Sequence, residues 1–146
     1  MKGLKMKPLY TTEAISTGDA RSGRAHLADG SLDFDLAMPR EMGGKGGDGA
    51  NPEQFFALGY AACFHSALKL VASEERVDVS DSSVSARVTI GNDDQGGFEL
   101  KVALEVSVPH LLMVDARKLA QKAHSICPYS KATRGNIEVT VDVVEV

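Results

Sequence analysis

The chain has 146 residues, carries 20 acidic against 16 Lys and Arg residues for a formal charge of −4, and contains two cysteines and no tryptophan. That length makes one core, so residues 1–146 are read as a single domain. The basic residues are scattered rather than blocked, which excludes the usual nucleic-acid footprint. No uninterrupted apolar run reaches the ~18 residues of a membrane span, so the reading is a soluble, cytoplasmic protein that engages neither nucleic acid nor membrane.

Residues 1–8 are basic and irregular, and residues 10–16 alternate weakly as a strand. Residues 17–23, T-G-D-A-R-S-G, form a turn or loop. Residues 24–28 and 31–38 pair as a hairpin through Asp29-Gly30, with Leu32, Phe34 and Leu36 on one face. Residues 39–50 hold five glycines but lack the spacing of a phosphate-binding loop or a dinucleotide fingerprint, so this segment is read as a loop able to cover a pocket.

Residues 51–73, N-P-E-Q-F-F-A-L-G-Y-A-A-C-F-H-S-A-L-K-L-V-A-S, read as one long helix. Asn51 suits the cap, Pro52 the first helical position and Glu53 the positive end of the dipole. From Phe55 to Phe64 no residue is charged, so the helix belongs at the centre of a protein. Gly59, Ala61, Ala62 and Ala67 leave room around Cys63 for another backbone to approach closely.

Residues 83–91 and 97–108 alternate as half-buried strands joined by a turn-rich segment. Residues 113–126 return to helical spacing, with Val114, Leu119, Ala123 and Ile126 as the apolar face and Pro128 as the stop. Residues 136–146 alternate again, with Ile137, Val139, Val141 and Val143 facing inward. This order predicts an α+β domain with antiparallel sheet. One sheet cannot cover an apolar rod on all sides, so a homodimer is expected in which the long helices lie between the two chains' sheets.

The two cysteines are the chemical suspects, since a reducing compartment disfavours a permanent staple. By composition, Cys63 reads first as a small core residue. Burial raises a thiol's pKa, and a mid-helix position gains nothing from the N-terminal field, so an active Cys63 needs a nearby cation. Arginine fits, and a carboxylate such as Glu53 can hold its fork by paired hydrogen bonds. A zinc site from Cys63, His65, His124 and Cys127 is poor, because residues two apart on a helix point away from each other. His65 instead joins the polar stripe of Ser66, Lys69 and Ser73. No nucleophile signature supports a cysteine hydrolase.

Residues 51–64, N-P-E-Q-F-F-A-L-G-Y-A-A-C-F, and residues 124–137, H-S-I-C-P-Y-S-K-A-T-R-G-N-I, resemble the two cysteine motifs of the organic hydroperoxide resistance proteins, the Ohr branch of the Ohr/OsmC family. The T-G-D-A-R-S-G segment and the glycine-rich M-G-G-K-G-G-D-G loop extend the resemblance over essentially the whole chain.

The resemblance implies antiparallel sheets wrapped around long central helices in an intertwined homodimer. It also implies a cysteine peroxidase that reduces alkyl or fatty-acid hydroperoxides without metal or other cofactor. Reductant would come from dihydrolipoyl groups on a lipoylated protein. Carried over, Cys63 is the peroxidatic cysteine, Cys127 the resolving cysteine, Arg21 the thiolate-stabilising arginine and Glu53 its orienting carboxylate. Arg24 is the alternative to Arg21, which is preferred because R-S-G matches the family's Arg-x-Gly placement. Lys131 stands where Asn is common. Phe55, Phe56, Tyr60 and Phe64, with Met42 in the loop, are candidate pocket walls, each read as core. The competing readings are the OsmC branch with another substrate preference, and a non-catalytic apolar-ligand-binding or peroxide-sensing protein of the same fold.

Overall fold

A computed structural model of the protein describes residues 5–145. Residues 1–4 of the basic N-terminal segment and Val146 of the last predicted strand lie outside the described residues. The chain divides into two compact units, Met1–Pro52 and Glu53–Val146.

The first unit is a three-stranded antiparallel meander of β1 (Ala14–Thr17), β2 (Arg24–Leu27) and β3 (Asp33–Asp35). The expected hairpin is present, with Asp29 holding Ser31 through its backbone and hydroxyl. The strands are shorter than the alternation implied. Among the described residues of this unit none is buried, and Ile15, Leu32 and Phe34 stand 43%, 54% and 37% exposed. The glycine-rich segment after a 3₁₀ turn at Arg40–Met42 folds back so that Leu36 bridges Ala50. Gly49 is required at that crossing, since a Cβ there would fall 2.7 Å from the Ala37 nitrogen.

The second unit is built on α1 (Pro52–Glu75), β4 (Ser83–Asn92), β5 (Phe98–Ser107), α2 (Met113–Ile126), α3 (Pro128–Thr133) and β6 (Val139–Val143). Strand β5 is central. Val84, Ala86, Val88 and Ile90 of β4 stand opposite Val106, Leu104, Val102 and Leu100, and Val139, Val141 and Val143 of β6 stand beside Val102, Leu104 and Val106. Each pairing puts apolar side chains on one face, which fixes the register, because a one-residue slip would turn the whole row to solvent. β4 and β5 are antiparallel as expected, but β6 runs parallel to β5. The reason is the intervening α2 and α3, which supply the long crossover that a parallel neighbour requires.

Against this face α1 sets Tyr60, Phe64, Ala67, Leu68, Val71 and Ala72, all buried at helical spacing. Leu58 and Leu70 on the same helix remain 69% and 55% exposed. By length and composition α1 passes for a membrane span, although Gly59, His65, Ser66 and Lys69 interrupt it; its buried face is part of the core cluster. In α2 the buried stripe is Ala116, Leu119, Ala120 and Ala123. Leu119 and Ala123 are inward as expected, whereas Val114 and Ile126 are 54% and 47% exposed, because two alanines the apolar count passed over take the inner positions.

Candidate active site

The helix α2 ends at Ile126, as the Pro128 stop predicts, but Pro128 itself begins a new helix. Pro128 occupies the first turn of α3, a helix the sequence reading lacked, and Cys127 is the residue that caps it. Proline suits that position because its absent N–H would have no helical partner. The first amides able to donate are those of Tyr129 and Ser130, and both meet sulfur. The Tyr129 N–H bonds Cys63, and the Ser130 N–H donates to Cys127 Sγ at 3.5 Å.

The two sulfurs lie 3.8 Å apart, both as free thiols, although 64 residues separate them. Cys127 is fully buried and Cys63 partly so. Burial pushes the Cys63 thiol above its ordinary range, the Tyr129 amide opposes that, and neighbouring Cys127 adds to it. Within its own unit Cys63 therefore favours the neutral thiol, and reactivity requires positive charge from elsewhere.

Gly59 has a specific task here. A Cβ at that position would fall 2.6 Å from the Tyr129 hydroxyl, so the room predicted around Cys63 admits a side chain of α3 rather than another backbone. The Tyr129 ring packs against both Phe56 and Tyr60, with centroids 6.2 and 5.6 Å away.

Behind the sulfurs runs a polar chain. Tyr60 Oη lies 2.8 Å from Ser130 Oγ and 3.2 Å from Thr133 Oγ1, and Ser130 Oγ lies 2.7 Å from His124 Nδ1. Arg134 donates to the His124 carbonyl at 2.7 Å. Burial, seconded by the Arg134 charge, lowers the His124 pKa and favours neutral imidazole. The sequence had placed His124 in a poor zinc set and at the start of the second cysteine motif, and Tyr60 among candidate pocket walls read as core, with no polar role for either. The available signal was spacing, since His124 and Ser130 each stand three residues from Cys127 and Tyr60 three from Cys63.

The other expected residues fall as follows. Glu53 is in the first turn of α1, about 15 Å from Cys63 along the axis at ~1.5 Å per residue, so coupling between them needs an intermediary. Arg21 lies on a 3₁₀ turn, Ala20–Ser22, in the first unit. Arg24 is engaged by Asp33 through both Nε, at 2.7 Å, and Nη2. His65 turns to Ser82 Oγ at 2.9 Å. Among the described residues no group of three or more His, Cys, Asp or Glu is placed to hold a metal. Tyr60 and Phe64 are core, as expected. Phe56 packs on the core and also lines an open cleft of about 760 Å³ with Phe98, Leu100, Pro128, Tyr129 and Ile137.

The sequence profile of OsmC-like protein matches residues 44–142. The chain belongs to the OsmC-like family. Within the family it is 49% identical over 136 residues to the organic hydroperoxide resistance protein of Xanthomonas axonopodis pv. citri, covering 92% of this chain and 94% of that protein. Two crystal structures of OsmC-like relatives match its fold. One is an organic hydroperoxide resistance protein from Elizabethkingia anophelis, with TM-score 0.91, 45% identity and coverage of 97% of this chain and 100% of that one. The other is the corresponding protein OhrB of Bacillus subtilis, with TM-score 0.85, 41% identity and coverage of 94% and 100%. The expected α+β fold and the Ohr branch of the family are thereby established.

Proposed function

We propose that the protein is a cytoplasmic thiol peroxidase that reduces organic hydroperoxides, alkyl or fatty-acid, to alcohols. The observation that carries this reading is the 3.8 Å approach of two free thiols, Cys63 on α1 and Cys127 at the cap of α3. The names of its relatives support a role in peroxide resistance.

Cys63 thiolate attacks the distal peroxide oxygen. The O–O bond breaks, Cys63 becomes a sulfenic acid, and the departing alkoxide takes a proton to leave as alcohol. Arg21 holds Cys63 as thiolate and stabilises charge growing on the peroxide oxygens, with Glu53 orienting the guanidinium. Arg21 is preferred to Arg24 for this task because R-S-G matches the family's Arg-x-Gly placement. Cys127 thiol then condenses with the sulfenic acid, releasing water and forming the Cys63–Cys127 disulfide. A dihydrolipoyl dithiol on a partner protein opens that bond by exchange and is itself oxidised to the cyclic disulfide, restoring both thiols. No metal or organic cofactor enters this cycle.

Steady-state reduction of tert-butyl hydroperoxide and of hydrogen peroxide, each with dihydrolipoamide, glutathione or thioredoxin, tests the reading. Fast turnover of the organic peroxide with dihydrolipoamide, abolished by Cys63→Ser, is expected. Preference for hydrogen peroxide would contradict the proposed substrate class, and binding or oxidation without turnover would favour a non-catalytic protein.

A further inference from the structure

The polar chain behind the sulfurs has no part in the cycle just described, yet it consists of groups that are costly to bury. Tyr60 and Ser130 are fully buried and Thr133 is 5% exposed. Its members come from three helices: Tyr60 from α1, His124 from the last turn of α2, and Ser130 and Thr133 from α3. Each stands in fixed relation to a cysteine. Tyr60 is three residues before Cys63, on the same side of α1. His124 is three before Cys127 and Ser130 three after it, and they bond each other across the cysteine at 2.7 Å. Ser130 then bonds Tyr60 at 2.8 Å, closing the link from the Cys127 turn to the helix that carries Cys63. The same Ser130 donates its amide to Cys127 Sγ.

We infer that Tyr60, Ser130 and His124 are positioning residues for the resolving step, clasping the Cys127 turn to α1 so that disulfide closure outruns further oxidation of Cys63. The inference rests on the peroxidase reading above. From 3.8 Å, closure to an S–S bond of ~2.04 Å needs a shift of roughly 1.8 Å, within reach of side-chain rotation if the helices hold still. The competing fate is oxidation of the sulfenic acid by a second hydroperoxide, which transfers one oxygen to give sulfinic acid and alcohol. Resolution consumes the same sulfenic acid with the Cys127 thiol and releases water. Any loosening of the Cys127 turn slows only the second fate-determining reaction, and the balance between them reports the clasp.

The test is rapid-quench mass spectrometry of the full-length reduced protein after mixing with excess cumene hydroperoxide, counting disulfide against sulfinic acid on molecules that have reacted. Tyr60→Phe removes one oxygen from a buried ring and keeps its packing, while Ser130→Ala cuts both side-chain links of the clasp. With a broken buried hydrogen bond of ordinary strength in play, each is expected to raise the sulfinic-to-disulfide ratio about tenfold. The double variant should be little worse than Ser130→Ala, because the chain is already cut. Cys127→Ser gives the fully unresolved limit. A wild-type ratio in folded Tyr60→Phe and Ser130→Ala would overturn the clasp while leaving the peroxidase reading intact. A wild-type protein that consumes no hydroperoxide and forms no disulfide would instead overturn that reading, and the clasp with it.

Discussion

At the scale of residues, the central tension is that Cys63 is placed where a thiol prefers its proton. Burial raises its pKa, and the single Tyr129 amide only partly offsets that. The proposed chemistry therefore depends on an arginine. Arg21→Ala should slow alkylation of Cys63 at neutral pH about tenfold or more, the usual effect of losing an opposite charge beside an ionised group. Arg24→Ala should leave the rate near wild type, since R-S-G assigns the role to Arg21. Iodoacetamide kinetics across pH measures both, and the reverse order would transfer the role to Arg24. Legibility in the sequence was uneven at this scale. The two motifs pointed to Cys63 and Cys127 by resemblance, whereas the hydroxyls behind them were invisible. Tyr60 looks apolar in a run of Phe and Ala, and nothing local to Ser130 says that its partner lies 70 residues back.

At the scale of elements, α1 carries both the chemistry and the core. Leu68, fully buried one turn beyond Phe64, packs where the helix meets the sheet. Leu68→Ala should cost about 2–5 kcal/mol in chemical denaturation, from lost transfer energy plus the cavity left behind. A loss below about 1 kcal/mol would mean that the site collapses freely around the shortened side chain. Elements with strict alternation were readable: β4, β5 and α2 match their expected bounds to within a residue. Those set by context were not. α3 is a single short run whose proline reads only as the stop of α2 until Cys127 is seen capping a new helix. The parallel sense of β6 depends on how far two helices carry the chain, which alternation does not encode. The face of α2 was misjudged because Ala116 and Ala120, whose small side chains suit close packing, were passed over for Val114 and Ile126.

At the scale of the whole molecule, the first unit cannot account for its own stability. Its three strands are short, none of its described residues is buried, and it presents Ile15, Leu32 and Phe34 to solvent. Sheets of that size need a packed face to persist. Leu58 and Leu70 leave α1 with uncovered apolar surface as well. We propose that a second copy covers both surfaces, so that the chain is complete only as a homodimer. Sedimentation at micromolar concentration should give a mass twice 15.5 kDa, and a 15.5 kDa species would contradict the assignment. Leu58→Asp should release monomer, because a charge would then be buried unpaired at the contact.

The peroxidase itself is tested most directly by peptide mapping of the reduced protein after one equivalent of an organic hydroperoxide. Peptides bearing Cys63 and Cys127 should appear joined by a disulfide as the peroxide is consumed. Hydroperoxide left intact, with both thiols still free, would contradict the peroxidase reading.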